Sequence, residues 1–188
     1  MNALFSAAAE IEAFCAARGW RCAIIGGLAV QRWGEPRQTR DVDLTILTGL
    51  GGEDRFVDPL LAAYRPRIPD ARQFALERRV LLVEAPSGVP LDISLASLPY
   101  EARVIDRSGA FAIEPGTNLT TCSAEDLVVL KAFADRVQDW LDIEGIIVRQ
   151  HGVLDRRQIV AELGPLLELK EDEAAERRLL ALFQKHQV

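Results

Sequence analysis

The sequence predicts an α+β fold, in which a small mixed β-sheet flanked by helices is followed by a helical C-terminal part. Short apolar runs separated by glycines dominate residues 1–120, and such runs are typical of strands joined by tight turns. From Ser123 onward, apolar residues recur at helical spacing with few breaks. We therefore predict two domains, an α/β core over residues 1–120 and a helical region over residues 121–188.

The first part of the chain alternates between helix and strand. Apolar side chains at helical spacing predict a helix over residues 4–18, and Gly19 follows as its stop. The next segments are "RCAIIGG", "LAVQRW" and "DVDLTIL", and they predict a strand, one or two helical turns and a second strand. The short helix would begin directly after a pair of glycines.

The middle of the chain predicts a helix, a hairpin and further short strands. The run "EDRFVDPLLAAY" has helical spacing, whereas "RRVLLVEAP" and "VPLDISLA" flank Ser87-Gly88, a pair typical of a hairpin turn. Two or three more short strands, separated by glycines, are expected over residues 103–121.

The C-terminal region predicts a series of helices. Ser123 supplies an N-cap, and acids follow it in the first turn, where they stabilise a helix. Breaks are expected at Gly152, at the Gly-Pro pair of residues 164–165 and at the Lys-Glu pair of residues 170–171. The helical segments are "SAEDLVVLKAFADR", "DWLDIEGIIVRQ", "DRRQIVAELGPLLEL" and "EDEAAERRLLALFQKH".

Composition indicates a globular protein without a membrane segment. Of the 188 residues, 49% are hydrophobic and 27% are charged, and the formal net charge is −6. Nucleic acid would therefore bind only through a local basic surface or through metal ions. No apolar stretch approaches the ~20 residues that span a bilayer, and the N-terminus carries acids where a signal peptide carries basic residues, so we predict a cytoplasmic protein. The three cysteines lack metal-ligand spacing and predict buried structural thiols.

Three aspartates on predicted strands are the first candidate site. Asp41 and Asp43 flank Val42, so strand alternation points both carboxylates to one face. Asp92 occupies a similar position in "PLDISL", and if the two strands are neighbours, the three carboxylates converge. Such an all-oxygen site suits Mg²⁺ or Mn²⁺. The alternative is three unrelated acids on the solvent face of a sheet.

The glycine pair is the second candidate site. Gly26 and Gly27 end one predicted strand and begin a helix, where backbone N–H groups without a side chain in the way can hold a phosphate. The alternative is a plain strand-to-helix turn. Together, the two candidate sites suggest that the glycine turn binds phosphate groups and that the three aspartates bind a metal ion.

The run "IIGGLAVQRWGEPRQTRDVDLTI" resembles the signature of the nucleotidyltransferase superfamily related to DNA polymerase beta. That signature joins a glycine pair, a spacer of about a dozen residues and two acids around a hydrophobic residue, with a third acid on a later strand. Arg37 and Thr39, ahead of the first acid, and the helical run at residues 125–143 are similar to the AbiEii toxin-like and minimal-nucleotidyltransferase group. The resemblance covers roughly residues 20–145.

The same group carries a helix lysine followed by an arginine and two aspartates. Here these residues are Lys131, Arg136, Asp139 and Asp142. Each also has a structural explanation, because a lysine can extend from a buried face to water, the aspartates can cap the next helix, and the arginine can pair with Asp139.

The resemblance implies a metal-dependent transfer of a nucleoside monophosphate from an NTP to a hydroxyl acceptor. Asp41, Asp43 and Asp92 would be catalytic and would hold Mg²⁺ or Mn²⁺, and Asp92 would take the proton of the acceptor hydroxyl. The substrate-binding residues would be Gly26, Gly27, Arg37, Thr39, Lys131, Arg136 and Asp139.

The acceptor stays open among tRNA, a protein hydroxyl and a small molecule such as an antibiotic. The resemblance also implies a toxin-like component of a type IV toxin-antitoxin system, with an antitoxin protein as partner. The alternative function is a non-catalytic nucleotide- or partner-binding protein that retains the nucleotidyltransferase fold. Three mutually repelling acids near one another favour the enzyme.

Overall fold

A computed structural model describes residues 2–171 and 174–187 of the chain. Within these residues, nine helices and seven strands form, and the strands make one sheet in the order β3-β4-β5-β2-β1-β7-β6. The helices are α1 (Ala3–Ala16), α2 (Gly26–Trp33), α3 (Asp54–Ala63), α4 (Ala71–Arg78), α5 (Pro99–Asp106), α6 (Ala124–Ala134), α7 (Val137–Arg149), α8 (Arg156–Lys170) and α9 (Ala174–Lys185). The strands are β1 (Cys22–Ile24), β2 (Val42–Leu47), β3 (Arg65–Pro66), β4 (Val80–Glu84), β5 (Pro90–Ala96), β6 (Gly109–Glu114) and β7 (Thr117–Thr121).

The sheet mixes parallel and antiparallel neighbours. Strand β2 runs parallel to β5 and β1 runs parallel to β7, whereas the other neighbouring strands are antiparallel. The predicted α+β fold with a mixed sheet is therefore confirmed. The predicted hairpin around Ser87-Gly88 is also confirmed, because β4 and β5 pair on either side of it.

Strand alternation decides which side chains of the central strands enter the core. On β2 and β5, every second residue is almost completely buried: Val42, Leu44, Ile46, Leu91, Ile93 and Leu95. They belong to one apolar cluster that also contains residues of α1, α3 and α4. The intervening residues of β2 and β5, Asp43 and Asp92 among them, point to the opposite face of the sheet.

The chain divides into two compact units. The first unit comprises Met1–Leu28 and Gln38–Cys122 and contains the sheet. The second comprises Ala29–Arg37 and Ser123–Val188, and in it α6 packs against α7, α8 and α9. The predicted domains, an α/β core over residues 1–120 and a helical region over residues 121–188, stay a prediction. The segment 29–37 is grouped with the C-terminal helices.

Two helices of the first unit were not expected. Helix α5 occupies the start of the segment 103–121, for which the sequence predicts strands. It begins at Pro99, and the Glu101 carboxylate accepts hydrogen bonds from the backbone N–H groups of Ser97 and Leu98. This capping stabilises a helix ahead of the strands β6 and β7. Helix α4 buries mainly small side chains, Ala71 and Ala75, so it lacks a strong apolar period.

Helix α8 corrects another expectation, because it continues through the predicted break at residues 164–165. Pro165 lies inside it, and the neighbouring Leu163, Leu166 and Leu167 are buried. Burial of each such side chain contributes about 1.5–3 kcal/mol, which offsets the proline penalty of about 3 kcal/mol. The predicted last helix includes residues 172 and 173, which lie outside the described residues. Over the ranges that are described, every helix is too short or too polar to cross a bilayer.

Candidate active site

Three carboxylates meet on one face of the sheet in the first unit. Strands β2 and β5 are parallel neighbours with Asp43 directly opposite Asp92, and Asp41 lies two residues before Asp43. One carboxylate oxygen from each of the three lies within 4.8 Å of the others. All three side chains are half-buried. The convergence expected from the sequence is therefore present, and we call these three residues the acid cluster.

The loop before β2 and the start of α2 fix two members of the acid cluster. The Thr39 hydroxyl donates a hydrogen bond to Asp41 Oδ1 at 2.9 Å. The Gly27 backbone N–H donates to Asp43 Oδ2 at 3.3 Å. Both carboxylates are thus oriented by neighbouring groups of the same unit.

Close packing explains why both positions of the glycine pair lack a side chain. A Cβ on Gly26 would lie 1.9 Å from Asp43 Oδ2, and the backbone φ there is +60°, which favours glycine. On Gly27, a Cβ would lie 2.4 Å from the Thr39 hydroxyl oxygen. The glycines therefore let the acid cluster approach the start of α2, a reason that the sequence did not reveal. Phosphate binding by these glycines stays a prediction.

Arg67 is a member of the site that sequence reasoning missed. Its guanidinium forms an ion pair with the Asp92 carboxylate. The Arg67 backbone N–H bonds to Leu82, and Leu82 pairs with Asp92 across β4 and β5. Arg67 thus reaches Asp92 over one intervening strand. The register of the short strand β3 determines this contact, and no local motif marks it.

Burial and charge together perturb the Asp92 carboxyl. Burial raises its pKa, and the negative charge of Asp41 raises it further, although the ion pair with Arg67 acts in the opposite direction. A raised pKa means that the ionised form is unfavourable at this position. The ion pair with Arg67 therefore offsets only part of the effect of burial and of Asp41 on Asp92.

The donor set of the acid cluster fits a divalent cation. Carboxylate oxygens are hard ligands, which Mg²⁺ and Mn²⁺ prefer. A cation would also offset the burial and the Asp41 charge that raise the pKa of Asp92. Among residues 2–171 and 174–187, this is the one group of three or more acids, histidines or cysteines close enough to share a metal ion.

The second unit brings together the other candidate residues in a network of ion pairs, of which Lys131, Asp139 and Asp142 are buried. The Lys131 ammonium lies 3.1 Å from Asp139 Oδ1 and 2.6 Å from Asp142 Oδ2. Arg37 binds Asp142 with two parallel hydrogen bonds of 2.7 and 2.8 Å. Arg136 pairs with Asp139 at 2.7 Å. We call these five residues the ion network.

The geometry of the ion network decides between the structural explanations of its members. Lys131 is only 4% exposed, so its ammonium does not reach water. The explanation that this lysine extends from a buried face to solvent is therefore wrong. Asp139 does cap α7, because its carboxylate accepts from the Arg136 backbone N–H, and it pairs with Arg136 as well. Asp142 instead binds the side chains of Arg37 and Lys131. Substrate binding by Arg37, Lys131, Arg136 and Asp139 stays a prediction.

The Asp142 carboxyl shows how well the ion network is compensated. Burial raises its pKa, but hydrogen bonds from Arg37 and Lys131 outweigh burial and hold the pKa at about 2. The pKa of Asp139 is also lowered, because Arg136 and Lys131 outweigh its burial. Both aspartates are therefore ionised at neutral pH.

The fold is shared with solved structures of other proteins. One is an antigenic nucleotidyltransferase-like protein from Paracoccidioides brasiliensis, with a TM-score of 0.51 and 17% sequence identity. The superposition covers 95% of this chain and 92% of the Paracoccidioides chain. Another is the lincosamide antibiotic adenylyltransferase LnuA with lincomycin bound, with a TM-score of 0.50 and 13% sequence identity. That superposition covers 77% of this chain and 94% of LnuA. No protein-family model and no curated protein matches the sequence. The chain thus has the fold of these nucleotidyltransferase-like structures.

Proposed function

We propose that the chain transfers a nucleoside monophosphate from an NTP to a hydroxyl acceptor, with Mg²⁺ or Mn²⁺ held by the acid cluster. The observation that carries the proposal is the convergence of Asp41, Asp43 and Asp92, whose carboxylate oxygens lie within 4.8 Å of one another. The raised pKa of Asp92, which burial and then the charge of Asp41 cause, supports a site that is completed by a cation. The shared fold supports the same class of reaction.

Each residue of the acid cluster would have a separate task. Asp41 and Asp43, oriented by Thr39 and Gly27, would hold the metal. Divalent ions supply electrostatic stabilisation of the charge on the attacking and leaving oxygens. Asp92, which lies opposite Asp43 on the neighbouring strand, would also bind the metal and would accept the proton of the acceptor hydroxyl. Arg67 would be a positioning residue, since its ion pair fixes the orientation of Asp92.

The glycine pair would contribute through its lack of side chains. Without side chains at Gly26 and Gly27, the start of α2 lies against Asp43 and Thr39. We propose that the triphosphate binds at this helix start, beside the metal on the acids. Arg37, Lys131, Arg136 and Asp139 are retained as proposed substrate-binding residues, and the Lys131 variant in the Discussion tests them.

A small hydroxyl-bearing molecule is the first acceptor class to test. LnuA, which shares the fold, is an antibiotic adenylyltransferase solved with lincomycin bound. The net charge of −6 also disfavours a polyanion such as tRNA as acceptor. A protein hydroxyl and tRNA are the other acceptors that the assay below includes.

The testing experiment measures transfer of label from each α-³²P NTP in the presence of Mg²⁺ or Mn²⁺. Small hydroxyl compounds, total RNA and total protein serve as acceptors. Asp43→Asn should reduce transfer by at least about a hundredfold, because several kcal/mol of charge stabilisation are lost with the metal. Asp58→Asn is the matched control, since Asp58 is an exposed acid paired with Arg72.

The same assay separates the enzyme from a binding protein. No transfer to any acceptor class, together with NTP binding by calorimetry, would favour the non-catalytic alternative. Transfer that is equal in wild type and Asp43→Asn would contradict the proposed site.

A role as a toxin in a type IV toxin-antitoxin pair is the finer proposal. The similarity of Arg37, Thr39 and the Lys131 motif to AbiEii proteins supports it. Induced expression of the wild type should then arrest bacterial growth, and Asp43→Asn should not. Growth arrest by both proteins, or by neither, would contradict the toxin role.

A further inference from the structure

The strand register places Arg67 in line with the acid cluster. Asp43 on β2 lies opposite Asp92 on β5, and Asp92 lies opposite Leu82 on β4. The Arg67 backbone N–H donates to the Leu82 carbonyl at 3.1 Å, so Arg67 continues this row directly after β3. One strand therefore separates Arg67 from Asp92, and the long arginine side chain spans the resulting backbone separation of about 10 Å.

The Asp92 carboxylate consequently has neighbours of opposite charge. The Arg67 guanidinium forms an ion pair with Asp92 Oδ1. A carboxylate oxygen of Asp92 also lies within 4.8 Å of oxygens from Asp41 and Asp43. A divalent cation bound by all three acids would therefore share the Asp92 carboxylate with the guanidinium.

Two cations that share one carboxylate repel each other. The Arg67 and Asp92 side chains are only 26% and 33% exposed, so water screens this repulsion less than it would at a fully exposed pair. Binding of a cation to Asp92 must therefore weaken the ion pair with Arg67. The free energy of that pair is then subtracted from the free energy of metal binding.

We propose that Arg67 competes with the divalent cation for Asp92 and thereby sets the metal affinity of the acid cluster. This inference rests on the proposed function and adds a regulation of the same site. In the metal-free protein the guanidinium holds Asp92, and it moves away from the carboxylate when the metal binds. The movement is compatible with the fold, because Arg67 follows the edge strand β3 and its backbone bond to Leu82 does not depend on the side chain.

Calorimetric titration of the metal-free, full-length protein with Mn²⁺ tests the competition. Arg67→Met removes the positive charge and keeps an unbranched side chain. We expect its Mn²⁺ affinity to exceed that of wild type by about tenfold, because neither an ion pair nor a nearby cation opposes the metal. If Arg67 acts solely by orienting Asp92, the sign is reversed, since a less well oriented ligand binds a metal more weakly. An affinity equal to or below that of wild type would overturn the proposal.

Arg65→Met is the matched control. Arg65 lies two residues earlier, on β3, and pairs with Glu84 on β4, so this variant makes the same change in net charge on the same segment. Its Mn²⁺ affinity should stay within about twofold of wild type, because the Arg65 side chain is largely exposed. An equal rise in Arg65→Met and Arg67→Met would assign the effect to net charge and overturn the competition.

Thermal unfolding gives a second readout of the same competition. Without metal, Arg67→Met should have a lower Tm than wild type, because the acid cluster has lost a positive neighbour. At one fixed concentration of Mn²⁺, the rise in Tm should be larger in Arg67→Met than in wild type, since tighter binding stabilises more. A smaller or equal rise would contradict the competition.

These measurements separate the inference from the proposed function. Neither uses nucleotide transfer, so a higher Mn²⁺ affinity in Arg67→Met supports the competition whether or not an acceptor is found. Mn²⁺ binding that is weakened in Asp43→Asn but not raised in Arg67→Met would overturn the competition and leave the proposed function in place. Absence of Mn²⁺ binding in wild type and in Arg67→Met would overturn both.

Discussion

The acid cluster and the ion network place aspartates in opposite electrostatic surroundings. In the acid cluster, three carboxylates lie close together, and the Arg67 guanidinium pairs with Asp92. The ion network pairs two carboxylates with three cations. The pKa of Asp92 is raised, first by its burial, whereas the pKa of Asp142 is held at about 2 by Arg37 and Lys131 despite its burial.

This difference indicates what each cluster needs in order to be stable. The ion network is complete, since every carboxylate in it already has cationic partners within the protein. We expect the acid cluster to gain stability when a divalent cation is added. Buried charge is therefore not by itself evidence of a functional site, and the acid cluster, in which the pKa of Asp92 is raised, is the better candidate.

Breaking the ion network should have the largest effect on stability. Lys131→Met removes the ammonium between Asp139 and Asp142, and we expect a loss of about 3–5 kcal/mol of unfolding free energy. Lys185→Met is the control, because its ion pair with Glu144 is largely exposed and should contribute at most about 1 kcal/mol. Chemical denaturation measures both.

A loss below about 1 kcal/mol in Lys131→Met would contradict the buried network. The same variant tests substrate binding if label transfer is assayed where the protein remains folded. A fall in transfer on the order of tenfold or more would assign Lys131 to the substrate as well. Unchanged transfer would leave it a structural residue.

The variant Gly26→Ala should have the next largest effect on stability. The new Cβ would lie 1.9 Å from Asp43 Oδ2 at a backbone φ of +60°, so either the backbone or the acid must move. We expect a loss of about 1–3 kcal/mol and a defect in Mn²⁺ binding. The control is Gly164→Ala, at a helix position with no atom within 4 Å, which should be neutral or stabilising by up to about 1 kcal/mol. Native stability and native Mn²⁺ affinity in Gly26→Ala would refute the close approach.

Protonation of Asp142 should lower the unfolding free energy of the protein at acidic pH. Its pKa is about 2 in the folded protein against an ordinary value of 3.8, so its contribution is present above about pH 4 and is lost as pH falls toward 2. We expect this window to span about 2 kcal/mol in wild type and to flatten in Asp142→Asn. Asp106→Asn, which alters an exposed pair with Arg21, should keep the wild-type slope. Equal slopes in wild type and Asp142→Asn would contradict the assignment.

Removing one charge from the acid cluster should have the smallest effect on stability, and it should stabilise the protein where the other changes destabilise it. The raised pKa of Asp92 means that its contribution to stability is full below its unfolded pKa and is lost as pH rises through the folded value. Asp41→Asn removes one cause of the rise, so the pKa of Asp92 should fall. Metal-free protein should become more stable at neutral pH, by at most about 1 kcal/mol. Carboxyl-carbon NMR titration measures the pKa, and a value that stays or rises would contradict the repulsion.

Local patterns predicted the acid cluster because strand alternation and a short motif were sufficient. Asp43 lies on β2, Asp41 directly precedes that strand, and the parallel pairing of β2 with β5 brings Asp92 beside them. Arg67 could not be predicted in the same way, since its contact depends on the register of three strands. The role of the glycines was missed because it depends on which side chains pack against them.

The helical region shows the same limit. The motif of Lys131, Arg136, Asp139 and Asp142 is visible in the sequence, but its pairing with Arg37 joins residues 105 positions apart. Helix α8 passes through Pro165 because packing of its leucines outweighs a local helix-breaking signal. Tertiary packing, which no local pattern encodes, decided both outcomes.

Calorimetric titration with Mn²⁺ tests most directly whether the acid cluster is a metal site. Wild type and Asp58→Asn should bind Mn²⁺ alike, because Asp58 is an exposed acid outside the cluster. Asp43→Asn should weaken binding by at least about tenfold while its circular dichroism stays that of wild type, since one of three carboxylate ligands is lost. Equal Mn²⁺ affinity in wild type and Asp43→Asn, or no binding by wild type, would contradict the metal site.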